Sequence, residues 1–158
     1  MAVRRMQAGE VEEVSRIAVS AFVYSVADGL SKQGISTFMK LSSPDAIASR
    51  AKGDNLLFVH DGEGGLDGML ELKEGRHIAL LFVCPHKQRS GIGRELMQAA
   101  VRYCRSDSVT VSASLPSVGA YRKYGFEITG PEAEEYGLRY RPMSKKLMPG
   151  NGDGVEHP

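Results

Sequence analysis

The chain has no tryptophan, only two cysteines, and a net charge of only +1, from 20 Lys and Arg against 19 Asp and Glu. Each shortage excludes something. Cys84 and Cys104 form no Cys-x-x-Cys pair, which argues against both a disulfide framework and a structural zinc site and suits reduced thiols in a cytoplasmic protein. A near-neutral chain has no general field to recruit nucleic acid or an anionic membrane, so any anion binding must be built locally. No apolar run approaches the roughly 18 residues of a membrane span, and the first ten residues lack the apolar core of a signal peptide. What is present, 158 residues with 42% hydrophobic, is enough for one ordinary core. A single domain is expected over residues 1–148. Residues 149–158, rich in glycine and proline and poor in apolar side chains, read as a flexible tail.

Apolar periodicity locates the elements. Val3 to Met6 reads as a short strand, and Val11, Val14, Ile17, Ala18, Ala21 and Phe22 mark one face of a helix. Residues 35–51 read as helical pieces divided at Pro44, with Ser43 or Asp45 at the new cap. Leu56–His60, Leu66–Lys73 and His77–Cys84 read as three strands joined by glycine turns, hence an antiparallel meander. The unbroken apolar run Ile78–Val83 predicts a strand buried on both faces. After Gly91 the period switches to helical until about Arg105, and Val109–Ala113 is the next strand, parallel to the one before by the βαβ rule. Ser117–Tyr124, closed by Gly125, is a short helix, and Leu138–Lys146 a last strand. The expected class is α/β, a mixed sheet flanked by helices on both faces.

The most informative stretch runs from strand to helix through Gln88, Arg89, Ser90, Gly91, Ile92, Gly93 and Arg94. Glycines without Cβ atoms let the backbone curl its N–H groups into a concavity, and the free donors and positive end of the following helix suit a diphosphate. Lys87, Arg89 and Arg94 add positive charge there. The string is neither a Rossmann fingerprint, which needs a third glycine where Leu96 stands, nor a P-loop.

Together with Tyr121-Arg-Lys-Tyr124-Gly125-Phe126 downstream, this string resembles the GNAT superfamily of acyl-CoA-dependent N-acetyltransferases, whose diphosphate signature is Gln/Arg-x-x-Gly-x-Gly/Ala. The resemblance covers about Val3 to Leu147. It implies a three-layer sandwich with a central, mostly antiparallel mixed sheet, acetyl-CoA as co-substrate without a metal, and an amine as acceptor. It further implies that backbone groups at Phe82 and Val83 meet the pantetheine arm, that the N–H groups from Arg89 to Arg94 hold the diphosphate, and that Tyr121 protonates the leaving sulfur. The acceptor would lie between residues 24–38 and 132–139, where Glu132, Glu134 and Glu135 form an acidic run read as a solvated loop. Ser112 stands where similar sequences often carry Asn.

An amine with an ordinary pKa near 10.4 must lose a proton before it attacks. Glu71 and His77, on neighbouring strands, are the candidate bases, with a water chain as the third route. A non-catalytic acyl-CoA-binding module is the rival reading. A nucleic-acid role for Arg139, Arg141, Lys145 and Lys146 is disfavoured, because their alternation suits an exposed edge strand and only Tyr140 could stack on a base. The resemblance also leaves room for a homodimer through that C-terminal strand.

Overall fold

The computed structural model describes residues 2–147; the tail expected at 149–158 lies outside the described residues. Five α-helices, α1 (Val11–Ser25), α2 (Lys32–Leu41), α3 (Pro44–Ala51), α4 (Ile92–Val101) and α5 (Val118–Lys123), surround one eight-stranded sheet. Its strands are β1 (Val3–Arg5), β2 (Asn55–Gly62), β3 (Gly65–Lys73), β4 (His77–Val83), β5 (Ser108–Ser114), β6 (Glu127–Ile128), β7 (Ala133–Glu135) and β8 (Leu138–Lys146). The order is β1-β2-β3-β4-β5-β8-β6, with β7 also on β8, and only β4 and β5 are parallel. Among the described residues no helix is long and apolar enough to cross a membrane.

Two apolar layers hold the helices to the sheet. Val14, Ile17 and Phe22 of α1, Phe38 of α2 and Ile47 of α3 pack on Leu57, Val59, Met69 and Leu80. On the other face Leu96 and Met97 of α4 and Tyr121 of α5 pack on Leu70, Leu72, Ile78, Val109 and Val111. Ser43 caps α3 by accepting from the Ala46 N–H (3.1 Å), with Pro44 in the first turn, where its missing donor costs nothing.

Three expectations are corrected. The strand buried on both faces is β3, whose Leu66–Leu72 are all buried, whereas Leu81, Phe82 and Val83 of β4 are half-buried because β5 turns away from them. The acidic run is not a loop: Ala133–Glu135 pairs with β8, placing Glu134 opposite Arg139. And β8 is not an edge strand, since β5 runs along one side and β6 and β7 pair with parts of the other.

Candidate active site

The site begins where two parallel strands separate. His77 pairs with Thr110 and Ile78 with Val111, after which β4 and β5 pair no further. Ala79 is the extra residue of a bulge, because Glu71 and Leu72 of β3 face Leu80 and Ile78. From there to Val83 the β5-facing edge of β4 has no strand partner among the described residues, so the two strands splay apart into a cleft.

At the far end of β4 the chain curls through a 3-10 turn at Pro85–Lys87 into α4. Arg89 (φ 67°) and Gly91 (φ 89°) both adopt the left-handed region, a costly conformation for Arg89 and a free one for glycine. Arg89, Ser90 and Gly91 are exposed, and the first N–H groups of α4 have no helical acceptor. The curl is tied down locally: Gln88 donates from Nε2 to the Val83 carbonyl (3.1 Å) and Ser90 from Oγ to the Lys87 carbonyl. Gln88 therefore shapes the loop and takes up the Val83 carbonyl. Ile92 and Gly93 are buried, and a Cβ on Gly93 would collide with the Tyr124 hydroxyl. Arg94 is committed to α5, its guanidinium 5.6 Å from the Tyr124 ring centre and its Nη2 donating to the Lys123 carbonyl (3.2 Å).

Tyr121 lies on the α4 side of the sheet, buried edge-on against Tyr124 (5.8 Å between rings) and Phe126 (5.3 Å). Burial, with Tyr124 beside it, pushes its phenol far above the ordinary value. Among the described residues its hydroxyl has no hydrogen-bond partner. Tyr124 links it to the curl at Gly93, so α4 and α5 bracket the cleft together.

The two candidate bases differ sharply. Glu71 is fully buried, its carboxylate gripped by Arg50 through Nε (2.7 Å) and Nη2 (2.8 Å) and by Asn55 Nδ2 (2.6 Å). Arg50 also donates to the Leu41 carbonyl, so the group fastens the α2–α3 corner to the sheet. His77 sits at the foot of the cleft with Nδ1 2.7 Å from the Thr110 hydroxyl. Burial first, then Lys73 and Arg76, lower its pKa, so its imidazole is neutral near pH 7. Ser112, two residues further along the same face of β5, is exposed.

Beyond the end of β5, a cavity of about 240 Å³ is lined by Ser25, Val26, Asp28, Leu30, Leu115 and Arg139, together with Gly29 and Pro116. The sequence ranges 24–38 and 132–139 thus meet at one opening, joined by the turn after β5, which sequence reading did not single out. The basic residues of β8 are mostly engaged within the chain. Arg139 pairs with Glu132 (3.5 Å), Arg141 donates to Gly130 and Lys145 to the Tyr124 carbonyl.

This arrangement agrees with what comparison finds. The model of the acetyltransferase (GNAT) domain matches residues 26–147. The chain belongs to the GNAT acetyltransferase family. The GNAT protein described here is 33% identical, over 72 residues, to the peptidyl-lysine N-acetyltransferase YiaC of Escherichia coli K12, a match covering 45% of this chain and 49% of that one. The match therefore spans about half the length of this curated relative. The fold is that of a GCN5-related N-acetyltransferase from Rhodopseudomonas palustris (TM-score 0.80, 22% identity, 92% of this chain and 95% of that one). It is also that of the PaiA N-acetyltransferase of Thermoplasma acidophilum solved with coenzyme A (TM-score 0.76, 19% identity, 92% and 98%). The fold is the mixed, mostly antiparallel sandwich expected from the sequence.

Proposed function

We propose that this GNAT protein transfers the acetyl group of acetyl-CoA directly to a primary amine. The observation that carries the reading is that the edge of β4 left unpaired by β5 beyond Ile78 leads into the exposed curl at Arg89–Gly91. The residues present fit acyl-CoA. Free N–H groups at the start of α4, with Lys87 and Arg89 beside them, suit the diphosphate, and the open backbone of Ala79 to Phe82 suits the amide-rich pantetheine arm.

In the transfer the amine nitrogen forms a bond to the thioester carbonyl carbon and the carbon–sulfur bond breaks. Tyr121 supplies the proton that the departing sulfur takes up, and its raised pKa keeps that proton in place at working pH. The proton lost by the amine passes to water in the cleft, with His77 as the receiving side chain because it is neutral. Glu71 is better read as a fastener than as a base, since accepting a proton would unmake a buried ion pair. The cavity lined by Asp28 and Arg139 is the proposed acceptor site.

The test is thiol release from acetyl-CoA measured across a panel of small amines and lysine peptides. Release dependent on one class of amine is expected. Binding of acetyl-CoA without release on any amine would favour the non-catalytic module, and absence of binding would remove both readings.

A further inference from the structure

A second cluster of ionisable groups lies directly beneath the start of α4. His60 of β2 is 8% exposed and lies between two carboxylates, with Nδ1 2.6 Å from Asp67 Oδ1 and Nε2 3.1 Å from Glu95 Oε1. Asp67 is there because of a bulge. His60 faces Gly68 and Asp61 faces Leu66, which leaves Asp67 as the extra residue of β3 and re-aims its side chain. Space is made for it, since a Cβ on Gly62 would run into the Asp67 carboxylate. Asp67 also accepts from the Cys84 N–H through its carbonyl (2.9 Å), so the cluster is anchored to the end of β4.

Carboxylate oxygens face both ring nitrogens, so the imidazole form that can donate to both at once is the one with a proton on each, the cation. Its charge answers a local problem. Glu95 is the one acid in the first turn of α4 and follows Arg94 directly. An uncompensated carboxylate there competes with a bound anion for the positive end of the helix. We propose that Asp67 and His60 form a protonation-dependent strap that neutralises Glu95 and draws it off the anion-binding end of α4, so that acyl-CoA is held more tightly when His60 is charged. The inference rests on the reading of that helix end as the diphosphate site. His60 is thus a positioning residue.

The surrounding charges leave this pairing as the variable one. Asp61, next to His60, is held by Arg4 of β1 (2.8 Å), which also binds Glu10 (2.7 Å). Glu13 of α1 accepts from the Leu66 N–H (2.8 Å), and at the end of β4 burial, then Asp67, raises the Cys84 thiol. Arg94, the remaining charge of the first turn, is turned to Tyr124.

The test is calorimetric titration with coenzyme A from about pH 6 to about pH 9, across the range where histidines titrate, for the wild type, Glu95→Gln and His60→Gln. Titrations of the ligand itself are common to all three. Relative to Glu95→Gln, the wild type should weaken as pH rises, by about twofold to fivefold, the range for a single charge at a helix end. His60→Gln should bind like the wild type at high pH and lose the tightening at low pH. A ratio between wild type and Glu95→Gln that stays constant over the range overturns the strap and leaves the acyl-CoA reading intact. Glu95 is at the surface, so this comparison does not depend on His60→Gln folding. No binding by the wild type at any pH would bring down the diphosphate reading, and the strap with it.

Discussion

Tyr121 shows how environment decides what a residue can do. A phenol in water is an acid of pKa about 10; enclosed by Tyr124 and Phe126 on the α4 side of the sheet it is weaker still, and so stays protonated. In the proposed transfer it contributes a proton delivered only as sulfur departs, a contribution absent from ground-state binding. Tyr121→Phe is therefore expected to lower kcat by about 100-fold while leaving the dissociation constant for acetyl-CoA nearly unchanged. Steady-state kinetics beside calorimetry will check this; equal turnover in the variant would remove the role. The sequence pointed to Tyr121 because the Gly-Phe that follows is a local signal. It offered no comparable signal for Glu71, whose partner Arg50 lies 21 positions away and becomes visible only when α3 folds over β3.

Elements show the same division between local and distant causes. The helix faces, the Ser43 cap and the three meander strands were legible because each is written in consecutive residues: helical spacing in α1, Ser-Pro before α3, glycine turns around β3. The two-residue β6 and the exposed, acidic β7 were not, because β8 makes them strands by offering its free edge. Likewise Ile78–Val83 reads as an ordinary buried strand, and its loss of contact with β5 is set by the twist and bulge of the assembled sheet. Gly93 is an intermediate case. Its place in the motif suggests approach to a ligand, whereas the structure shows α4 meeting α5 there through the Tyr124 hydroxyl. Gly93→Ala is accordingly expected to weaken coenzyme A binding and to cost about 1–3 kcal/mol of stability from overpacking. Adding Tyr124→Phe removes the colliding oxygen and should restore most of the stability. Urea unfolding and calorimetry on the single and double variants measure this, and an unrescued double variant would show that Tyr124 is not the obstacle.

At the scale of the whole molecule, the proposed acceptor cavity depends on distant parts of the chain staying in register. Its walls come from the end of α1, the turn after β5 and the start of β8. Contacts between α2, which follows the first of these walls, and the β7–β8 turn, which precedes the last, tie the two together. Gly34 of α2 lies against the backbone of Gly137 in the β7–β8 turn, where Tyr136 (φ 52°) and Gly137 (φ 84°) are both left-handed. Thr37 donates to the Tyr136 carbonyl alongside (2.7 Å). Helix propensity alone would favour Gly34→Ala by about 1 kcal/mol, but the new methyl would strike the Gly137 carbonyl, and backbone in a tight turn cannot yield as a side-chain tip can. The opposing effects predict a variant that is less stable despite a better helix former, with α2 pushed off the hairpin and the cavity between Leu30 and Arg139 widened. The curl proposed to hold the diphosphate is built from other elements, so the dissociation constant for coenzyme A should move by less than about twofold, within the additivity expected of distant sites. On the amine identified by thiol release, KM for the acceptor should rise by about tenfold, the scale of one misplaced binding contact. If acceptor KM and coenzyme A affinity change together, the two sites share a wall and the cavity is not a separate acceptor site.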